Sequence, residues 1–360
     1  MSGLERLTQA AKNALDHDIT PAIVAAAAHP ARGLRGSFVG GAATAIPTRQ
    51  PVAEQTLFDL ASLTKVLVTG WLCMDLHSRG ELDLDAPLGE LLPNYYPDNT
   101  RQLSLRQLLA HCAGLPSGLR LRQQYPPSAC GAQDRRRQIV DRFLQVPIEA
   151  EPGVRTLYSD IGPVVIGDLL EQMTDDRIDR LATERVLSPA GMTTATYRPL
   201  DNPAISVDDV AATEVCPWRK ELVRGVVHDE NAFLMDGVAG HAGLFAALSD
   251  LETAARCFLE QRGPGMSSLA EFRRPQHLVP GSTRALGWDT AHADGPSGQR
   301  LSPEAFGHTG FTGTSIWIDP RLGLYIIVLT NRVHPSRSNQ AFLDWRPQFH
   351  DLVMQVLRDE

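Results

Sequence analysis

Apolar and polar positions along the 360-residue chain change their spacing several times, and each change marks an element. Residues 4–15 carry apolar side chains at helical spacing, which predicts an opening helix. Residues 21–29 and 34–44 are short apolar runs separated by Pro30-Ala31-Arg32-Gly33. Turn residues between two such runs predict a pair of strands. A helix is predicted from Ser62 through Val66-Leu67-Val68 and Trp71-Leu72-Cys73-Met74 to Arg79, with Gly80 as its C-cap. This segment is apolar on nearly every face, the mark of a buried central helix.

The texture changes over residues 82–224, where helical stretches are joined by loops containing Pro and Gly. Ser104 fits an N-cap for a helix over 105–111 that Gly114 ends. Further helices are predicted over 135–146, 161–173 and 178–186. After Ala232 helix and strand return: a helix over 251–261 and strands over 284–290, 314–318 and 322–330. The last two form a hairpin through Asp319-Pro320-Arg321, and a closing helix runs over 342–358. Strands at both ends with helices between them predict an α/β (α+β) fold. One α/β domain is built from residues 1–85 and 225–360, and a mainly helical domain over 86–224 is inserted into it. The site is expected in the cleft between them.

Composition narrows the function classes. The hydrophobic fraction of 43% and charged fraction of 21% are those of a globular protein with a large core. A net charge of -8 argues against nucleic acid or an anionic membrane as partner. Arg135-Arg136-Arg137 reads as a solvated helix face. Cys73, Cys112, Cys130, Cys216 and Cys257 are odd in number and form no C-x-x-C pair, which points to free thiols in a reducing compartment. Residues 1–18 are polar and mixed in charge, without the pattern of a signal peptide. A cytoplasmic location is therefore expected. No asymmetric surface stripe argues for a dimer.

The basic residues are almost all arginine, and only Lys12, Lys65 and Lys220 are lysines. Lys65 lies three places after Ser62 in Phe58-Asp59-Leu60-Ala61-Ser62-Leu63-Thr64-Lys65, so the two share one helix face. A lysine, unlike an arginine, can give up its proton when buried, and beside a serine it can activate a nucleophile. A buried lysine on an all-apolar helix needs a partner or a function. A second candidate is Thr156-Leu157-Tyr158-Ser159-Asp160-Ile161-Gly162, a tyrosine with a carboxylate at a helix start. Taken alone, it also reads as plain capping. A third is Gly307-His308-Thr309-Gly310-Phe311-Thr312-Gly313, whose spaced glycines let a backbone approach a ligand closely or simply make a turn.

The order of these three motifs resembles that of the serine β-lactamase and penicillin-binding protein family. The chain resembles the class C branch of that family, which includes DD-peptidases and serine esterases. The likeness spans roughly residues 20–335. It is strengthened by Leu108-Leu109-Ala110-His111-Cys112-Ala113-Gly114-Leu115, Gly240-His241-Ala242-Gly243-Leu244-Phe245 and Leu286-Gly287-Trp288. The Phe58 to Lys65 stretch and His228-Asp229-Glu230-Asn231-Ala232 are most similar to a peptidase-like subgroup. The resemblance implies an antiparallel sheet flanked by helices. It implies Ser62 as the nucleophile forming an acyl-enzyme, Lys65 assisting its deprotonation and Tyr158 as proton relay. His308 stands at a position where many β-lactamases have lysine. The resemblance further implies that the N–H groups of Ser62 and Phe311 form the oxyanion hole and that Thr309 and Gly310 line the substrate. No cofactor or metal is implied.

Asp160 stands where the family usually has asparagine. An amide can donate to a substrate carbonyl and an ionised carboxylate cannot. A carboxylate near Lys65 also favours the charged lysine, which leaves proton abstraction more to Tyr158. Esterase or DD-peptidase activity on a small ester, amide or peptide is therefore expected over strong β-lactamase activity. Acyl transfer through the same nucleophile and a non-catalytic penicillin-binding or sensing protein stay open as alternatives. There is no G-x-S-x-G elbow, and the spacing of His228, Asp229, Glu230 and His241 fits no standard metal motif; they read as a loop bordering the site.

Overall fold

The computed structural model describes residues 3–132 and 134–359. Met1, Ser2, Gln133 and Glu360, which fall within segments delimited above, lie outside the described residues. The chain folds around a seven-stranded antiparallel sheet with strand order β3-β2-β1-β7-β6-β5-β4. The strands are β1 (Ala22–His29), β2 (Leu34–Thr44), β3 (Gln50–Pro51), β4 (Asp289–Thr290), β5 (Phe306–Thr309), β6 (Ser315–Asp319) and β7 (Leu324–Leu329). Chain ends meet where β1 pairs with β7, Val24 opposite Leu329 and Ala28 opposite Tyr325.

Side-chain alternation along these two strands sorts residues onto two cores. Ile23, Ala25, Ala27, Ile326 and Val328 face one way, onto Ala11, Phe342, Phe349 and Val353 of the terminal helices. Those helices are α1 (Gly3–Asp16) and α5 (Ala341–Asp359). Val24, Ala26, Ala28, Ile327 and Leu329 face the other way, into the larger core that holds most of the remaining apolar residues. That core includes α4 (Leu248–Glu260) and α3 (Ile161–Thr174). Both faces of β1 are covered, which accounts for a strand that is an unbroken apolar run.

The buried central helix is present but not uniform. Ala61–Leu63 forms a single 3-10 turn, Lys65–Gly70 a π-helical turn, and α2 (Trp71–Ser78) a regular α-helix. Gly80, at φ 72°, closes it. The wide turn fits the close approach of residues 240–241. Thr69 Oγ1 donates to the Gly240 carbonyl at 2.6 Å, and π turns recur at functional sites.

Three expectations are corrected. The strand predicted over 284–290 is reduced to Asp289–Thr290. Ahead of it the backbone turns at Gly287, with φ 79°, and bonds elsewhere: Leu286 N–H to Phe272 and Gly287 N–H to Leu109. The middle of the chain also carries strands. Ala212–Cys216 and Glu221–Arg224 form a ribbon, and Thr196–Tyr197 joins a small sheet with Leu244–Ala246 and Phe58–Asp59. The helix predicted over 178–186 is α-helical only over Ile178–Ala182 and continues as a π turn over Thr183–Leu187. Among the described residues no helix is long and apolar enough to cross a membrane.

Candidate active site

Ser62 sits on the first turn of the central helix, directly after a backbone reversal. The preceding Ala61 has φ 47°, a left-handed conformation that L-residues other than glycine seldom adopt. Asp59 accepts the Ala61 N–H at 2.8 Å through one carboxylate oxygen and the His228 N–H at 2.6 Å through the other. Facing Ser62 is the end of β5. Gly310 belongs there because a Cβ would come within 2.6 Å of the Leu60 carbonyl. The β5–β6 turn is stitched to the Ser62 segment by Thr312 Oγ1, which donates to the Asp59 carbonyl (2.8 Å), and by Thr314 Oγ1, which donates to the Leu60 carbonyl (3.1 Å).

Lys65 is 2% exposed and its ammonium is surrounded by oxygens. It donates to Ser62 Oγ at 2.8 Å and to the His241 carbonyl at 3.2 Å, and lies 2.8 Å from Asp160 Oδ1. Burial works against the charge, but Asp160 and Tyr158 more than offset it and hold the lysine pKa above its ordinary value. Asp160 itself, at the start of α3, is 32% exposed.

The Tyr158 ring is packed between two imidazoles. His111 lies at 4.7 Å and His308 at 5.9 Å between ring centroids. Lys65 Nζ and the Arg284 guanidinium stand over the ring at 5.1 and 5.4 Å. Burial, then the nearby Arg284 and Lys65, pushes His111 well below the ordinary imidazole range; burial, then Lys65 and Arg284, does the same for His308. Both rings are therefore neutral at pH 7. His308 Nδ1 lies 2.9 Å from the Thr309 carbonyl, so that nitrogen carries the proton, and its buried Nε2 has no hydrogen-bond partner. His308 thus supplies no positive charge in place of lysine.

Ser62, Tyr158, Asp160, His308, Thr309, Gly310 and Phe311 line one cavity of about 720 Å³, with Lys65 beneath them. All the site residues expected from the sequence therefore come together. Phe311 is 48% exposed; its ring stacks on His228 (5.8 Å, 16°) and lies under the Arg332 guanidinium at 4.9 Å. The bordering loop is held by protein partners. His241 Nε2 lies 2.9 Å from Asp229 Oδ1, His228 Nε2 lies 3.1 Å from Glu214 Oε2, and Glu230 pairs with Arg337 at 2.8 Å.

Sequence reasoning missed Arg284, Arg332, Arg337 and Arg346 on the same cavity wall. Three acids of the cavity have cationic partners: Asp160 has Lys65, Glu230 has Arg337 and Asp289 has Arg284 at 3.5 Å. Asp229 faces His241. The guanidinium groups of Arg332 and Arg346, residues 2% and 4% exposed, donate to the Asn339 and Gly313 carbonyls, and among the described residues the Nε of each has no hydrogen-bond partner. Burial, with Arg332 close by, depresses the Arg346 pKa to about 10. A signal was present in the sequence: Arg346 and His350 stand four apart on the apolar face of the closing helix.

The fold and site were compared with known proteins. The putative D-alanyl-D-alanine carboxypeptidase of Escherichia coli K12 is 32% identical over 316 residues, covering 79% of this chain and 71% of the relative. The N-acetylmuramyl-L-alanine amidase of Bacillus subtilis 168 is 31% identical over 309 residues, covering 78% and 69%. Among solved structures, simvastatin synthase from Aspergillus terreus superposes with a TM-score of 0.74 at 19% identity, covering 100% of both chains. An octameric penicillin-binding protein homologue from Pyrococcus abyssi gives 0.74 at 18%, covering 98% of this chain and 76% of the other. The model of the β-lactamase family matches residues 12–346, and the chain belongs to that family of serine hydrolases.

Proposed function

We propose that the chain hydrolyses a carboxylic ester or amide through an acyl-enzyme on Ser62, and that the acyl donor carries an anionic group. The contact of Ser62 Oγ with the buried Lys65 ammonium, 2.8 Å inside an open cavity, carries the first part. In the form of the site that has already lost one proton, Ser62 Oγ attacks the carbonyl carbon and its proton passes to the Tyr158 oxygen. The N–H groups of Ser62 and Phe311 take the oxyanion, and Thr309 and Gly310 flank the substrate. The proton then leaves with the alcohol or amine, and water repeats the sequence to release the acid. Turnover of an activated ester, with acid and alcohol released in equal amounts, is expected; complete absence of turnover would overturn the proposal.

Because Asp160 holds the Lys65 proton, the reactive form is reached when the Lys65–Tyr158–Asp160 set loses one proton. Acylation is therefore expected to rise with pH. Asp160→Asn removes the charge that keeps Lys65 protonated, so the rising limb of kcat/KM is expected at lower pH, by roughly 1 to 3 units. A limb that stays in place or moves to higher pH would contradict this assignment.

The surplus cations Arg332 and Arg346 support the anionic group. Buried like charges without a carboxylate destabilise a fold unless a ligand answers them. A carboxypeptidase among the relatives is consistent with a carboxylate there. Arg346→Met is expected to raise KM about tenfold or more for a carboxylate-bearing ester, to leave a neutral ester within about twofold, and to leave the melting temperature unchanged or higher. Equal losses on both esters would remove this role. The five unpaired thiols support a reducing compartment for the protein.

A further inference from the structure

Asp59 is a buried carboxylate that touches the Ser62 turn, yet it does not line the cavity. Its two oxygens accept from the backbone of Ala61 and of His228, residues far apart in sequence. Its own carbonyl accepts from Thr312, next to the Phe311 backbone. Through residue 228 the network continues: Asp229 holds His241 by its imidazole, and the His241 carbonyl accepts from Lys65. The Asp59 side chain therefore links the turn that presents Ser62 to the loop that reaches Lys65, and its backbone carbonyl ties both to the β5–β6 turn.

The bond to Ala61 is the informative one. At φ 47° this alanine occupies a conformation natural to glycine and unfavourable for a residue with a Cβ. Such a conformation persists only where surrounding contacts impose it. The Ala61 N–H held by Asp59 belongs to the peptide group immediately before the Ala61 Cα, and the next N–H along the chain is that of Ser62. Release of the turn would rotate that N–H and the direction of Ser62 Oγ together. A misplacement of about 1 Å is enough for a hundredfold loss in rate.

We infer that Asp59 is a positioning residue that holds Ala61 in its left-handed turn, and so sets the aim of both the Ser62 hydroxyl and the Ser62 N–H. The inference rests on Ser62 being the nucleophile proposed above. An asparagine at 59 keeps the shape but turns an NH2 towards one of two N–H donors, so one of the two bonds is lost. Glycine at 61 adopts the turn without being held in it, and should make Asp59 less necessary.

The test is a double-mutant cycle on the full chain, read as the rate at which a fluorophosphonate labels Ser62 and as kcat and KM for an activated ester. Asp59→Asn is expected to slow labelling and lower kcat at least tenfold, with KM within about threefold. In the Ala61→Gly background the same change is expected to lower both by less than about threefold. A merely structural role for Asp59 would give the same loss in both backgrounds, and that result overturns the inference. Wild-type labelling by Asp59→Asn also overturns it. Should Asp59→Asn fail to fold, Asp59→Glu keeps the carboxylate but shifts it from the Ala61 N–H by one methylene. It is expected to slow labelling about threefold, again less in the Ala61→Gly background, and wild-type behaviour overturns the inference. Absence of labelling in the wild type would instead sink the assignment of Ser62.

Discussion

Replacement of Ser62 by alanine is expected to abolish turnover of an activated ester, with a fall in kcat of roughly 10⁴- to 10⁶-fold. The size follows from what is lost. Ser62 Oγ is the nucleophile of the proposed acyl-enzyme, and it accepts from the Lys65 ammonium at 2.8 Å. The rest of the site is expected to survive. Lys65 keeps its contacts with Asp160 and with the His241 carbonyl, and the oxyanion donors belong to the backbone. Substrate binding should therefore persist in Ser62→Ala, visible as an unchanged dissociation constant for a non-reactive carboxylate analogue. A variant that retains more than about a hundredth of wild-type turnover would mean that the chemistry runs through another group.

Lys65→Met is expected to be nearly as damaging, lowering the acylation rate about 10³- to 10⁴-fold, at the upper end of what a proton-handling group contributes. The methionine fills the buried channel without an ammonium. Ser62 Oγ loses its 2.8 Å donor, and Tyr158 loses the cation 5.1 Å above its ring. Stability is expected to change little. An apolar side chain replaces one partner of an ion pair whose other member, Asp160, is 32% exposed and can be hydrated. Lys65→Arg separates charge from proton handling. An arginine keeps the charge but cannot release a proton and needs a planar fork of acceptors, so it is expected to lose at least about 10²-fold. Near wild-type activity in Lys65→Arg would show that a fixed positive charge is all the site needs.

Local pattern made part of the fold legible. Strand β2, which coincides with the predicted 34–44, alternates between half-buried and exposed positions over residues 34–40, where one side packs and the other meets solvent, and is buried over 42–44. The Ser62 helix declared itself by being apolar all round, as its buried residues from Val66 to Leu76 bear out. Segment 284–290 misled because its apolar residues are buried by a turn rather than by a ladder: Ala285, Leu286 and Trp288 sit in the core while the backbone bonds to Phe272 and Leu109. The ribbon at Ala212–Cys216 and Glu221–Arg224 is short and carries charged residues, so its spacing gave little to read.

The site divides in the same way. Ser62 with Lys65, and Tyr158 with Asp160, are close in sequence, and a spacing of two or three residues reveals them. Asp59, His111, Arg284, Arg332 and Arg346 act on the same cavity or turn from separate elements. Only the folded chain brings a guanidinium of the last helix into the cavity that Phe311, 35 places earlier, also lines. The meaning of Asp160 also needed geometry. Its substitution for asparagine suggested a charged lysine, and the 2.8 Å contact with Lys65 gives that charge a partner.

The most direct measurement is intact-mass spectrometry of the protein after mixing with a fluorophosphonate and, separately, with a penicillin, alongside Ser62→Ala. A single covalent adduct on the wild type, mapped to Ser62 and absent from the variant, is the expected result. With penicillin, slow release of the adduct is expected, because Asp160 supplies no amide donor to the substrate. No adduct with either reagent in a folded sample would contradict an activated serine and leave a protein that binds in this cleft without reacting.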